Sequence, residues 1–142
     1  MLLSLSISRI ADSIYAQAAL DAATRSIETP AALTRDHHSA ITNLIVKLTA
    51  ETISSLGSIV KKSTIDTLQP DDDIITIDCD VRHHDATVAC LRTNIETAIA
   101  YGVLARATAG ADITLAKWYA SLAKTAAIPL NQRIRRSARQ QN

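Results

Sequence analysis

Apolar side chains recur along this chain at two distinct spacings. Leu3, Ile7, Ile10, Ile14 and Ala18 follow at steps of four, three, four and four, which lines one face of a helix. Arg9, Asp12, Gln17 and Asp21 fall mostly elsewhere, so the spacing predicts a first helix over about 4–26. Thr29-Pro30 then marks a break, because the residue before proline avoids the α region while proline suits a first helical turn. A second stripe of Ile41, Leu44, Ile45, Leu48, Thr52, Leu56, Ile59 and Val60 predicts a helix over about 36–60. Asp36 suits its N-cap, Gly57 weakens its end, and Lys61 and Lys62 sit where cations favour the C-terminal dipole.

The spacing changes after residues 63–73, which read as a connection containing Gln69-Pro70 and Asp71, Asp72 and Asp73. Ile75, Ile77, Cys79 and Val81 alternate with Thr76, Asp78 and Asp80, and the β-branched content predicts an extended segment over about 74–81. One strand alone leaves its backbone groups unpaired, so it requires a partner, and another subunit is one source of it. Helical spacing returns with Val88, Leu91, Ile95, Ile99, Gly102 and Val103, predicting a third helix over about 85–108, capped by Asp85 and ended by Gly110. Asp112 caps a fourth over about 112–139, where Leu115, Trp118, Tyr119, Leu122, Ala126, Leu130 and Ile134 share a side. Pro129 is expected to kink it. The expected fold is a single mainly α domain over residues 1–142. It is a four-helix antiparallel bundle-like arrangement with one short extended segment between helices 2 and 3.

Composition sharpens this picture. The 142 residues are 47% hydrophobic and 20% charged, enough apolar content for a packed core. Three glycines and three prolines are too few for a turn-rich β-sandwich. With no Phe, one Trp and three Tyr, the core must be built from Ile, Leu, Val and Ala. Such side chains let helices approach closely but bury less area than aromatics do, so neighbouring molecules are expected to complete the burial. No uninterrupted apolar run is long enough to span a membrane, so no membrane association is expected. No Lys or Arg precedes Leu2, and Arg9 and Asp12 interrupt the apolar start, so no secretory signal is expected either. Cys79 and Cys90 are no disulfide scaffold.

The net charge of +1 conceals an uneven layout. Residues 1–70 balance, residues 71–105 carry seven acids against Arg82 and Arg92, and residues 106–142 carry seven bases against Asp112. Three readings follow. The charges are solvated faces arranged as helix dipoles prefer. An acidic patch on one copy meets the basic end of the next, a heterologous contact that closes into a ring or continues as a filament. Or Arg133, Arg135, Arg136 and Arg139 make weak phosphate-backbone contacts, although no aromatic platform accompanies them. The residues expected at a subunit interface are Asp71, Asp72, Asp73, Asp78, Asp80, Trp118, Arg133, Arg135, Arg136 and Arg139. Trp118 enters because consecutive helical residues lie about 100° apart. Trp118 and Tyr119 therefore cannot both be central in a buried stripe.

Catalytic chemistry finds little support. His37-His38 and His83-His84 are adjacent pairs, which cannot face one metal as an i, i+4 pair would. A mixed site of Asp78, Asp80 and His83 or His84 lacks any recognised spacing. Asp71, Asp72 and Asp73 lack the alternating ligands and central Gly of a calcium loop. No base is placed for Cys90, and no glycine-rich phosphate loop exists. No enzyme activity, metal or cofactor is expected.

Ile95-Glu96-Thr97-Ala98-Ile99-Ala100-Tyr101-Gly102-Val103-Leu104, then a short break, then Trp118-Tyr119, Leu122, Ala126, Ile134 and an arginine-rich end form a helical-hairpin pattern. Over roughly the last 60 residues this pattern resembles the small helical neck, or head–tail connector, proteins of tailed bacteriophages. The resemblance implies a structural virion protein assembled in the host cytoplasm, forming a homo-oligomeric ring and docking to portal or tail components. It also implies that residues 71–85 and the C-terminal segment contact other subunits. The alternative reading is a cytoplasmic helical adaptor or regulator that binds protein or nucleic acid through its basic end.

Overall fold

A strand, not a helix, opens the chain. The structure is a computed structural model describing residues 1–25, 30, 33–80 and 85–141, apart from the side chains at 58, 85–87, 129–131 and 133–141. β1 (Leu2–Ser6) passes directly into α1 (Ile7–Arg25). Leu3 and Leu5 are buried from the strand, and Ile7, Ile10, Ala11, Ile14 and Ala18 from the helix. The buried run therefore crosses the junction without a gap, and the step from Leu3 to Ile7, which also suits a helix, consists of two strand steps of two. Ser6 fixes the boundary. Its Oγ accepts from the Arg9 amide at 3.2 Å, the bond an N-cap side chain makes to the third helical residue.

α2 (His38–Leu56) follows a 3-10 turn at Arg35–His37, so Asp36 lies in that turn and does not cap the helix. Gly57 ends α2 with φ +62°, a backbone region that glycine enters without steric cost. A 3-10 turn over Gly57–Ile59 leads to β2 (Val60–Ser63), and a further one covers Ile65–Thr67. Lys61 and Lys62 thus lie on a strand and not at a helix end.

β3 (Ile74–Cys79) finds the partners it requires within the same chain, in two strands that the spacing did not predict, and not in another subunit. The sheet order is β1-β3-β2 with both pairings antiparallel; Leu3 faces Ile77 and Leu5 faces Ile75 across β1–β3. On the other side Val60 faces Cys79 and Lys62 faces Asp78, with a register shift between them. Ile75, Ile77 and Cys79 enter the core while Ile74 and Asp80 stay exposed, as the alternation requires.

α3 (Asp85–Thr108) and α4 (Ile113–Gln141) form a hairpin closed at residues 109–112. Asp112 caps α4, its Oδ1 accepting from the Leu115 amide at 3.0 Å. α4 continues through Pro129. α3 is the central element, touching α1, α2, α4 and β1, whereas α4 packs chiefly on α3. Leu91, Ile95, Ile99, Val103 and Leu104 are the buried face of α3. At Gly102 the approach to α2 is tight: a Cβ there would stand 3.1 Å from Leu48 Cδ1. Helices and sheet share one apolar cluster, so the mainly helical bundle-like domain includes its small sheet as part of the core.

Candidate interaction surface

The acidic segment occupies two ends of β3. Gln69, Pro70, Asp71 and Asp72 form a β-turn in which the Asp72 amide donates to Gln69 O at 3.0 Å and Asp72 Oδ2 accepts from the Gln69 amide at 2.9 Å. Asp71 is exposed and has no ion-pair partner among the described residues. Asp73 turns to the start of α1. Its carboxylate accepts from the Ser8 amide at 2.7 Å, from Ser6 Oγ at 2.8 Å and from Ser8 Oγ at 3.0 Å, while its backbone carbonyl accepts from the Ile7 amide. Burial raises the carboxyl, but these bonds and the nearby Arg9 outweigh it and hold Asp73 below the ordinary carboxylate value. Arg9 itself is fixed by Glu96 of α3 through two side-chain bonds, which raise its pKa further.

At the far end of β3, Asp78 lies 3.6 Å from the Met1 ammonium and Asp80 lies 3.5 Å from Lys61 Nζ. Asp72, Asp73, Asp78 and Asp80, four of the five sequence-predicted aspartates, therefore have hydrogen-bond or ion-pair partners other than the C-terminal arginines.

On α4, Tyr119 is buried and donates its hydroxyl to Asp21 of α1, whose carboxylate also accepts from Gln17. Burial raises the Tyr119 phenol, and the bond to Asp21 adds to this. Trp118 is 42% exposed with the Arg25 guanidinium 5.4 Å from its ring centroid. Tyr119 is thus the core residue and Trp118 the edge residue of the pair. Beyond Tyr119, Leu122, Ala123, Ala126 and Ala127 are only half-buried, and Ile128 is 52% exposed. Lys117 and Lys124 are exposed without ion-pair partners among the described residues. Arg133, Arg135, Arg136 and Arg139 belong to α4, and their side chains lie outside the described residues.

The remaining candidates separate. His38 Nδ1 meets Tyr15 Oη at 2.8 Å, and His37 lies in the preceding 3-10 turn. His83 and His84 lie outside the described residues. Among the described residues, no group of three or more His, Cys, Asp or Glu side chains is arranged to hold a metal ion. Cys79 and Cys90 are both free, one buried and one exposed. Burial pushes the Cys79 thiol up despite the Met1 ammonium, which disfavours the reactive thiolate. No helix among the described residues is long and apolar enough to cross a membrane.

Grooves formed by the described residues include two of note. One, of about 420 Å³, runs between α1 and α3 past Arg9, Arg92, Glu96 and Tyr101. The other, of about 770 Å³, lies between the start of α1, α2 and residues 65–73. Asp71, Asp72 and Asp73 form one wall of this second groove, and Ile7, Val46, Ile65 and Leu68 supply apolar surface within it. Sequence spacing reveals neither groove, since each joins segments far apart in the chain. Ile128 did leave a local signal, as an apolar residue off the Leu122, Ala126 and Leu130 stripe. Comparison of the chain with protein-family models, with curated proteins and with solved structures finds no match.

Proposed function

We propose that this chain is a structural subunit that assembles head to tail with copies of itself, without catalysis, as a connector ring in the neck of a tailed-phage virion. The observation that carries the reading is the state of α4 beyond Tyr119. There the helix has chiefly α3 to pack on, its apolar side is at most half-buried among the described residues, Ile128 stands exposed, and just before Tyr119 so does Trp118. A helix with one flank open and a single charge sign is suited to an interface, where aromatic and aliphatic anchors are buried and charges select the partner. No acidic residue occurs from Ile113 to Asn142. The resemblance of the hairpin to neck proteins supports portal and tail components as the further neighbours.

Native mass measurement of the purified chain at low and high salt tests this. A discrete oligomer that loosens as salt screens the contact is the expected result. A monomer at every salt concentration, with no retention on portal or tail proteins, overturns it.

A further inference from the structure

We infer that the groove between the start of α1, α2 and residues 65–73 is the seat for the outward face of α4 from a second copy of this chain. This rests on the assembly reading above and names the contact that assembly would use.

The groove has the size and chemistry for a helix face. Its volume is about 770 Å³, with apolar surface from Ile7, Val46, Ile65 and Leu68 and an acidic wall of Asp71, Asp72 and Asp73. Asp71 and Asp72 have no cationic partner among the described residues. Asp73 is held ionised by its serine partners, so it presents charge to the groove while anchoring α1. Lys47 and His38 stand on the opposite wall, on α2. The Lys47 ammonium biases a cationic visitor toward the aspartates and so fixes its lateral position.

The complementary surface is the outer side of α4. Lys117, Lys124 and Ile128 are exposed and recur at steps of seven and four, and continuing that period by seven and four reaches Arg135 and Arg139. The result is a row of basic positions interrupted by one exposed isoleucine. It matches an acidic wall beside an apolar floor, with Ile128 as the apolar key. Among the described residues, no residue lining the groove comes from α3 or α4, so the described part of a subunit's own α4 does not fill its own groove. Groove and helix face lie on different elements of one subunit. A contact between them is therefore heterologous, and it leaves the helix of one copy and the groove of the other free for the next copies.

Charge exchange in the full-length chain tests this by native mass spectrometry. Asp71→Lys with Asp72→Lys reverses the groove, and Lys124→Glu with Arg135→Glu and Arg139→Glu reverses the helix face. Each variant alone is expected to weaken self-association by about tenfold or more, and mixing the two is expected to restore assembly with strictly alternating composition. Ile128→Ser, which changes no charge, should weaken assembly as well. All of the groove and Lys124 changes are at exposed positions, and far-UV circular dichroism checks that each variant is folded. A wild-type oligomer indifferent to both reversals, or reversed chains that fail to reassemble on mixing, overturns the groove assignment and leaves the assembly reading standing. A wild-type monomer overturns both. If that monomer binds a duplex oligonucleotide and the helix-face variant does not, the face is a phosphate-binding surface and the inference is wrong.

Discussion

Asp73 shows how a residue's role depends on partners that its neighbours in sequence do not reveal. In the chain it is the third of three aspartates and reads as interface charge. In the fold it accepts three bonds from Ser6 and Ser8, 67 and 65 residues away, at the start of α1. An anion there also meets the positive end of the helix dipole. Asp73→Ala is expected to destabilise the fold by about 1 kcal/mol, the usual scale for a lost helix cap. Because the folded-state pKa lies below the ordinary 3.8, the stabilisation is complete above that value and disappears as pH falls through the folded value. Thermal melts of wild type and variant should therefore differ at neutral pH and converge in acid; a constant difference across the range would refute the ionic role. Trp118 and Tyr119 are the opposite case. Their angular separation on a helix is local geometry, so the division into one buried and one exposed ring follows from sequence alone.

At the level of elements, legibility tracks local punctuation. α3 has the bounds 85–108 that the spacing predicts, and Asp112 caps α4 as expected. The first and second helices are shorter than predicted because strand and helix share buried positions at their junctions. Leu3 belongs to both periodicities, and Ile59 and Val60 extend the α2 stripe past Gly57 although the backbone turns there. Gly102 presents a tertiary constraint at a site where helix propensity alone favours a larger residue. Gly102→Val would add a Cβ and two Cγ carbons beside Leu48, with overpacking costs of about 1–3 kcal/mol. A chemical denaturation midpoint unchanged by this substitution would show that the α2–α3 contact yields freely.

For the molecule as a whole, the sheet is part of the same apolar cluster as the helices. Leu5 is fully buried between β3 and the helices, and Leu5→Ala is expected to cost about 2–5 kcal/mol. Because the core is single, helix content by circular dichroism and Trp118 fluorescence should be lost in one coincident transition in both proteins. Separate transitions would mean that the α3–α4 hairpin unfolds independently of the sheet. The charge layout belongs to this scale too. Of the acidic segment, Asp78, Asp80 and Glu96 meet Met1, Lys61 and Arg9, and Asp73 is held by Ser6 and Ser8 beside Arg9, so among the described residues Asp71 and Asp72 are the part without a cationic partner.

The sequence by itself determined the helices, their approximate limits, the Asp112 cap and the charge asymmetry, since each depends on residues within a few positions of one another. It also determined that β3 is extended, because alternation is a property of neighbouring residues. Only the tertiary structure decided that β3 pairs within its own chain, that Asp73 anchors α1 and that three distant segments enclose a groove. Those outcomes turn on which surfaces meet, and burying apolar area selects the meeting without leaving a mark at fixed spacing in the chain.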